Sequence, residues 1–91
     1  MKLIWSPQSI EDRKQIYAFI VEHDQRAADE MDELFSKQAN LLLVFPEAGK
    51  PGRVEGTREL VVHKHYILVY SYAGDAIAIL TVLHTSRQYP F

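Results

Sequence analysis

Apolar positions along the chain change their period twice. Lys2 to Trp5 is a short apolar run closed by Ser6-Pro7, which predicts an opening strand. Ser6 is a suitable helix N-cap, and Pro7 fits the first helical position, where a missing N–H costs nothing. The helix that follows carries Ile10, Tyr17 and Ile20 on one side, with Ile16 and Phe19 widening the stripe, and ends near His23-Asp24. A second helix from about Gln25 places Ala27, Ala28, Met31, Leu34, Phe35, Leu41 and Leu42 at three- and four-residue spacings. It must stop by Phe45, because the residue before Pro46 is pushed out of the helical region. Two helices joined this tightly predict an antiparallel hairpin with a shared apolar face.

Beyond a Pro- and Gly-rich loop from Pro46 to Gly56, the period falls to two. Thr57 to His63 predicts a strand with Leu60 and Val62 on one face. Tyr66 to Tyr72 predicts a second, with Tyr66, Leu68, Tyr70 and Tyr72 on one side and Ile67 and Val69 on the other. Ala76 to Leu83 is apolar on both faces, the mark of an interior strand. His63-Lys64-His65 and Ala73-Gly74-Asp75 are turn-like, so the three strands form an antiparallel meander. The order is β-α-α-β-β-β, and the expected fold is a two-layer α+β domain with a helix hairpin on an antiparallel sheet.

At 91 residues the chain is expected to form one domain, residues 1–91. An apolar fraction of 47% supports a core, though a thin one at this size. There is no cysteine, which removes disulfides and thiolate metal sites. The N-terminal apolar run is too short for a signal peptide, and no stretch is long enough to span a membrane, so a soluble, cytoplasmic protein is expected. A net charge of −2 argues against a general nucleic-acid binder. The charge is uneven: residues 1–46 hold five Lys/Arg against eight Asp/Glu, and residues 47–91 hold five against four. Most of the acidic excess lies between Glu22 and Glu33, where a solvated helix face accounts for it.

Little of the sequence carries recognisable chemistry. His63 and His65 share a strand face, but a zinc site needs further ligands, and only His84 and Asp75 are nearby candidates. Histidines on a surface hairpin are the simpler reading, and neither metal nor cofactor is expected. The loop EAGKPG leads into a strand instead of a helix N-terminus, so it lacks the amide cradle that binds phosphate. The C-terminal set of His84, Arg87 and Tyr89, with Arg58 at the start of a neighbouring strand, is the best candidate site. Histidine can move protons near neutral pH, arginine can stabilise a phosphoryl transition state, and tyrosine can stack on a base. The same residue types suit a protein interface.

Three motifs in order, G-x-R-E-L at Gly56 to Leu60, Y-I-L-V-Y at Tyr66 to Tyr70 and V-L-H-x-x-R-x-Y-P at Val82 to Pro90, resemble the ParE/RelE superfamily of bacterial toxins. F-P-E-A-G-K-P before the sheet matches as well, so the resemblance spans nearly the whole chain. It implies a helix hairpin on an antiparallel sheet and a cognate antitoxin as partner. RelE-like members cleave mRNA on the ribosome without a metal; ParE-like members inhibit DNA gyrase. RelE-like nucleases commonly carry an arginine just before the L-V-Y of the second strand, where this chain has Ile67, and Leu60, Val61 and Val62 are likewise apolar. The resemblance therefore implies a ParE-like, plasmid-stabilisation type of toxin that arrests growth by binding gyrase, with Arg58, His84, Arg87 and Tyr89 on its target-binding surface. Its alternative is a ribosome-dependent nuclease, with His84 as acid or base, Arg58 and Arg87 on the phosphate, and Tyr89 stacking.

Overall fold

The computed structural model describes residues 1–86, so the expectations for Arg87 and Tyr89 lie outside the described residues. The elements are β1 (Lys2–Trp5), α1 (Pro7–Val21), α2 (Gln25–Leu41), β2 (Lys50–Pro51), β3 (Arg58–His63), β4 (Tyr66–Ala73) and β5 (Ala76–His84). They form two layers, the helix hairpin on one face of a five-stranded sheet ordered β1-β5-β4-β3-β2. The expected α+β architecture and the β3-β4-β5 meander stand. Two features differ from expectation. The sheet is mixed, because β1 pairs parallel to β5, and the Pro46–Gly56 segment contributes the two-residue edge strand β2. After β1, the chain crosses through both helices and β2–β4 before β5 pairs alongside it, the long connection that parallel neighbours require.

The core lies between α2 and the sheet. Phe35, Ala39 and Leu42 pack on Tyr66, Leu68 and Tyr70 of β4 and on Ile77, Ile79 and Val82 of β5. The alternate side chains of β4 turn to the second sheet face, where Ile67 and Val69 cluster with Leu83. Gly74 supplies the positive φ (62°) that the tight β4–β5 turn needs.

The α1 stripe holds in part: Ile16 packs against the core as expected. Ile10 and Phe19 are exposed, whereas Ser9 and Asp12 are buried. The buried polar groups of α1 lie over a bulge in β5: Val69 pairs with Thr81 but Tyr70 pairs with Ile79, leaving Leu80 as an extra residue. The β1 pairing stops at Ile79, so β5 runs on as an edge beneath α1. Polar groups from α1 and its cap satisfy that edge. Ser6 Oγ accepts the Ser9 N–H (3.0 Å) as N-cap and donates to the Leu80 carbonyl (2.8 Å). Asp12 Oδ2 accepts from the Val82 N–H (2.9 Å) and the Thr81 hydroxyl (2.5 Å), while Oδ1 accepts from Gln8 Nε2 (2.8 Å). Arg13 ties the layers together, lying 4.5 Å above the Trp5 ring and bonding to Asp32 and Ser36 of α2.

Candidate functional site

Cross-strand register assembles a cluster that linear spacing does not display. Tyr66, the first residue of β4, lies opposite His63 on β3 and His84 on β5. Its ring meets His84 edge-on at 5.5 Å and His63 at 6.1 Å, and His65 stacks on His84 at 5.4 Å. Thr85 holds the two strand ends together, its N–H donating to the His65 carbonyl (2.8 Å) and its hydroxyl to the Lys64 carbonyl (3.2 Å). Below Tyr66, Phe35 packs edge-on at 5.6 Å and fixes the ring against the core.

These imidazoles form one wall of a groove of about 570 Å³ between the end of the sheet and the helix hairpin. Ile16, Phe19 and Ile20 of α1, Met31 of α2, and Tyr66 and Val82 of the sheet make it largely apolar. Two rings have assigned tautomers in their neutral forms. His63 Nδ1 accepts the His65 N–H (3.2 Å) and His84 Nδ1 accepts the Ser86 N–H (3.1 Å), so each carries its proton on Nε2. Desolvation, then the charges of Lys64, His84 and His63, lower the pKa of His65 and favour its neutral form. Desolvation raises the Tyr66 phenol above its ordinary value, keeping it a neutral donor. Chemically, the wall offers hydrogen-bond donors over an apolar floor.

Of the site residues expected from sequence, His84 is exposed at this groove. His63 and His65, read from sequence as hairpin surface residues, are its partners. The signal was present in the strand register: a hairpin flanked by histidines brings them beside whatever residue pairs with Tyr66. Asp75 sits in the turn at the opposite end of the β4–β5 hairpin. Among the described residues, no group of three His, Asp or Glu side chains is placed to hold a metal ion.

Arg58 lies elsewhere, with its guanidinium turned inward to the loop before β2. Its Nε and one terminal nitrogen donate to the Gly49 carbonyl (2.9 and 2.5 Å), and that nitrogen also reaches the Glu47 carbonyl (3.2 Å). Tyr70 completes the anchor: its hydroxyl donates to the Pro46 carbonyl (2.7 Å) and accepts the Gly49 N–H (2.9 Å). The Tyr72 hydroxyl donates to Glu47 (2.8 Å), a bond that raises its pKa. Tyr70→Phe should therefore cost about 1–3 kcal/mol, because the buried Gly49 N–H loses its acceptor. Urea unfolding tests this, and a variant as stable as wild type would show that the loop does not need the anchor.

On the second sheet face, β4 presents Ile67, Val69, Ser71 and Ala73 by strand alternation. Ile67, Val69 and Leu83 are buried there, packed with Leu80. Glu59 of β3 is also buried, accepting the Arg53 N–H (2.9 Å) and pairing with its Nε (3.3 Å). The centre of this face is apolar.

The comparisons agree with the fold. Residues 3–89 match the family model described as the ParE toxin of the type II toxin–antitoxin system parDE. A Sinorhizobium fredii protein named as toxin Y4kP is 32% identical over 90 residues, covering 98% of this chain and 93% of the relative. A chain of the chromosomal ParDE TA system from P. aeruginosa superposes with a TM-score of 0.80 at 24% identity, covering 92% of this chain and 95% of its own. The YoeB/ParE toxin from Agrobacterium tumefaciens gives a TM-score of 0.65 at 22% identity, covering 92% and 98%.

Proposed function

This chain belongs to the ParE toxin family of type II toxin–antitoxin systems, and from that membership we propose that it inhibits DNA gyrase and arrests growth until a cognate antitoxin covers it. It acts in the cytoplasm, where gyrase works; among the described residues, no helix is long and apolar enough to cross a membrane.

The observation that carries this reading is the second sheet face. Ile67 stands where RelE-like nucleases commonly hold an arginine, and it is buried with Val69 and Leu83. A metal-independent phosphodiester cleavage needs cations at the developing charge, and losing one such stabilising group costs about 10²–10³ in rate. Arg58 is bonded to loop carbonyls, which support a bracing role in shaping the surface. The proposed target-binding surface comprises His84, Arg87 and Tyr89, while Arg58 braces a loop away from the His84 groove.

Purified protein added to gyrase and relaxed plasmid should suppress supercoiling and accumulate cleaved DNA. Full supercoiling at excess toxin sinks the proposal. Codon-positioned cuts found by primer extension after induction would transfer the activity to the nuclease reading.

A further inference from the structure

The chain as a whole is net acidic, whereas the wall of the histidine groove offers hydrogen-bond donors. The chain's carboxylates are concentrated between Glu22 and Glu33. At the groove, His63, His65 and His84 face the opening beside Lys64, and Tyr66 adds a phenol. The nearest carboxylate, Asp12 on the α1 side, has both oxygens held by Gln8, Thr81 and Val82. Neither Gln15 of α1 nor Met31 of α2, which also line the groove, brings a charge. Phe19 adds an exposed apolar ring at the same groove.

Resting on the toxin–antitoxin reading above, we propose that this groove seats an acidic, apolar-anchored segment of the antitoxin, and that His63, His65 and His84 read one of its carboxylates. The apolar floor takes side-chain anchors, as grooves that bind amphipathic segments do. The Nε2–H groups of His63 and His84 are donors without competing acceptor character, and a carboxylate is the complementary partner. An RNA strand fits less well, since among the described residues no Lys or Arg lines the groove and its apolar floor offers nothing to a phosphodiester. Because His84 also belongs to the proposed target surface, a segment seated here neutralises the toxin by covering it.

A carboxylate beside the imidazoles favours their charged forms, so binding takes up protons. Desolvation and the charge of Lys64 lower the pKa of His65 in the free protein, and a carboxylate beside it opposes that shift. The affinity should therefore rise as pH falls from 8 to 6.

The test uses the full chain and the antitoxin encoded beside it, titrated calorimetrically at both pH values. His65→Gln and His84→Gln should each weaken binding about ten-fold, the size of one charge-assisted hydrogen bond. The triple variant with His63→Gln should lose the pH dependence. Changing the antitoxin's Asp and Glu residues singly to Asn and Gln should identify one position whose effect disappears in the His84→Gln background. Circular dichroism melts confirm that these surface variants stay folded. Wild-type affinity in the histidine variants, a flat pH profile, or no coupled carboxylate overturns the proposal. Displacement of the antitoxin by a short single-stranded RNA overturns it too, reassigning the wall to nucleic acid. An antitoxin that does not bind wild-type toxin at all refutes the neutralisation reading on which the proposal rests.

Discussion

Asp12→Ala is expected to remove about 2–5 kcal/mol of stability, a large part of the roughly 5–14 kcal/mol available to a chain of this length. The carboxylate does the work that a sixth strand would otherwise do. Where β5 bulges at Leu80 and leaves β1, its Val82 N–H faces the underside of α1 with no strand beside it. Asp12 reaches down from the helix to accept that N–H and the Thr81 hydroxyl. Alanine strands both donors away from water, and each unsatisfied group costs about 1–3 kcal/mol. Asp12→Asn separates hydrogen bonding from charge. Its Oδ1 can take the place of the carboxylate oxygen facing β5, and the Gln8 amide can turn to accept from its Nδ2, so the loss should be near 1 kcal/mol. Urea melts of both variants decide the matter. Equal losses for Ala and Asn would mean that the negative charge itself, not the pairing of the β5 edge, is what the fold requires.

Much of the scaffold was legible because it is encoded locally. Ser6-Pro7 marks the start of α1 and Asp24 caps α2 through the Ala27 N–H, as short-range chemistry dictates. Alternation along β4 assigned Tyr66, Leu68 and Tyr70 to the core and Ile67 and Val69 to the far face, as found. What escaped notice depends on register. The parallel β1–β5 pairing joins the two ends of the chain, and no local pattern states it. The bulge at Leu80 lies just past the end of that pairing, and over it α1 buries Ser9 and Asp12 while Phe19 is exposed. Asp12 reads as a surface charge in a helical pattern until the open β5 edge is known. Arg58 reads as a free cation for the same reason: its partners are backbone carbonyls, which a sequence of side chains does not show. The histidine wall lies between these cases. Each residue was visible, and only the pairing of Tyr66 with His63 and His84 brings them together.

That wall depends on the core directly beneath it, which makes Phe35 the most consequential apolar position for the site. Phe35→Ala should cost about 3–5 kcal/mol, from lost transfer energy and from the cavity left between α2 and β4. The ring is 1% exposed and meets Tyr66 edge-on with an interplanar angle of 90°. Tyr66 in turn meets His84 at 85°, so Phe35, Tyr66 and His84 form a single chain of aromatic contacts from core to groove. Removing its buried end frees Tyr66 to drop into the vacated space, drawing the support from beneath His84. Phe35→Leu fills most of that volume and should cost only about 1–2 kcal/mol, leaving Tyr66 in place. Denaturant unfolding measures the first effect. The chemical shift of the His84 ring measures the second, expected to move in Phe35→Ala under conditions where the protein remains folded and to stay close to wild type in Phe35→Leu. If Phe35→Ala is destabilised as expected while the His84 signal is unmoved, the strand register alone positions the histidines, and the aromatic chain contributes stability without shaping the site.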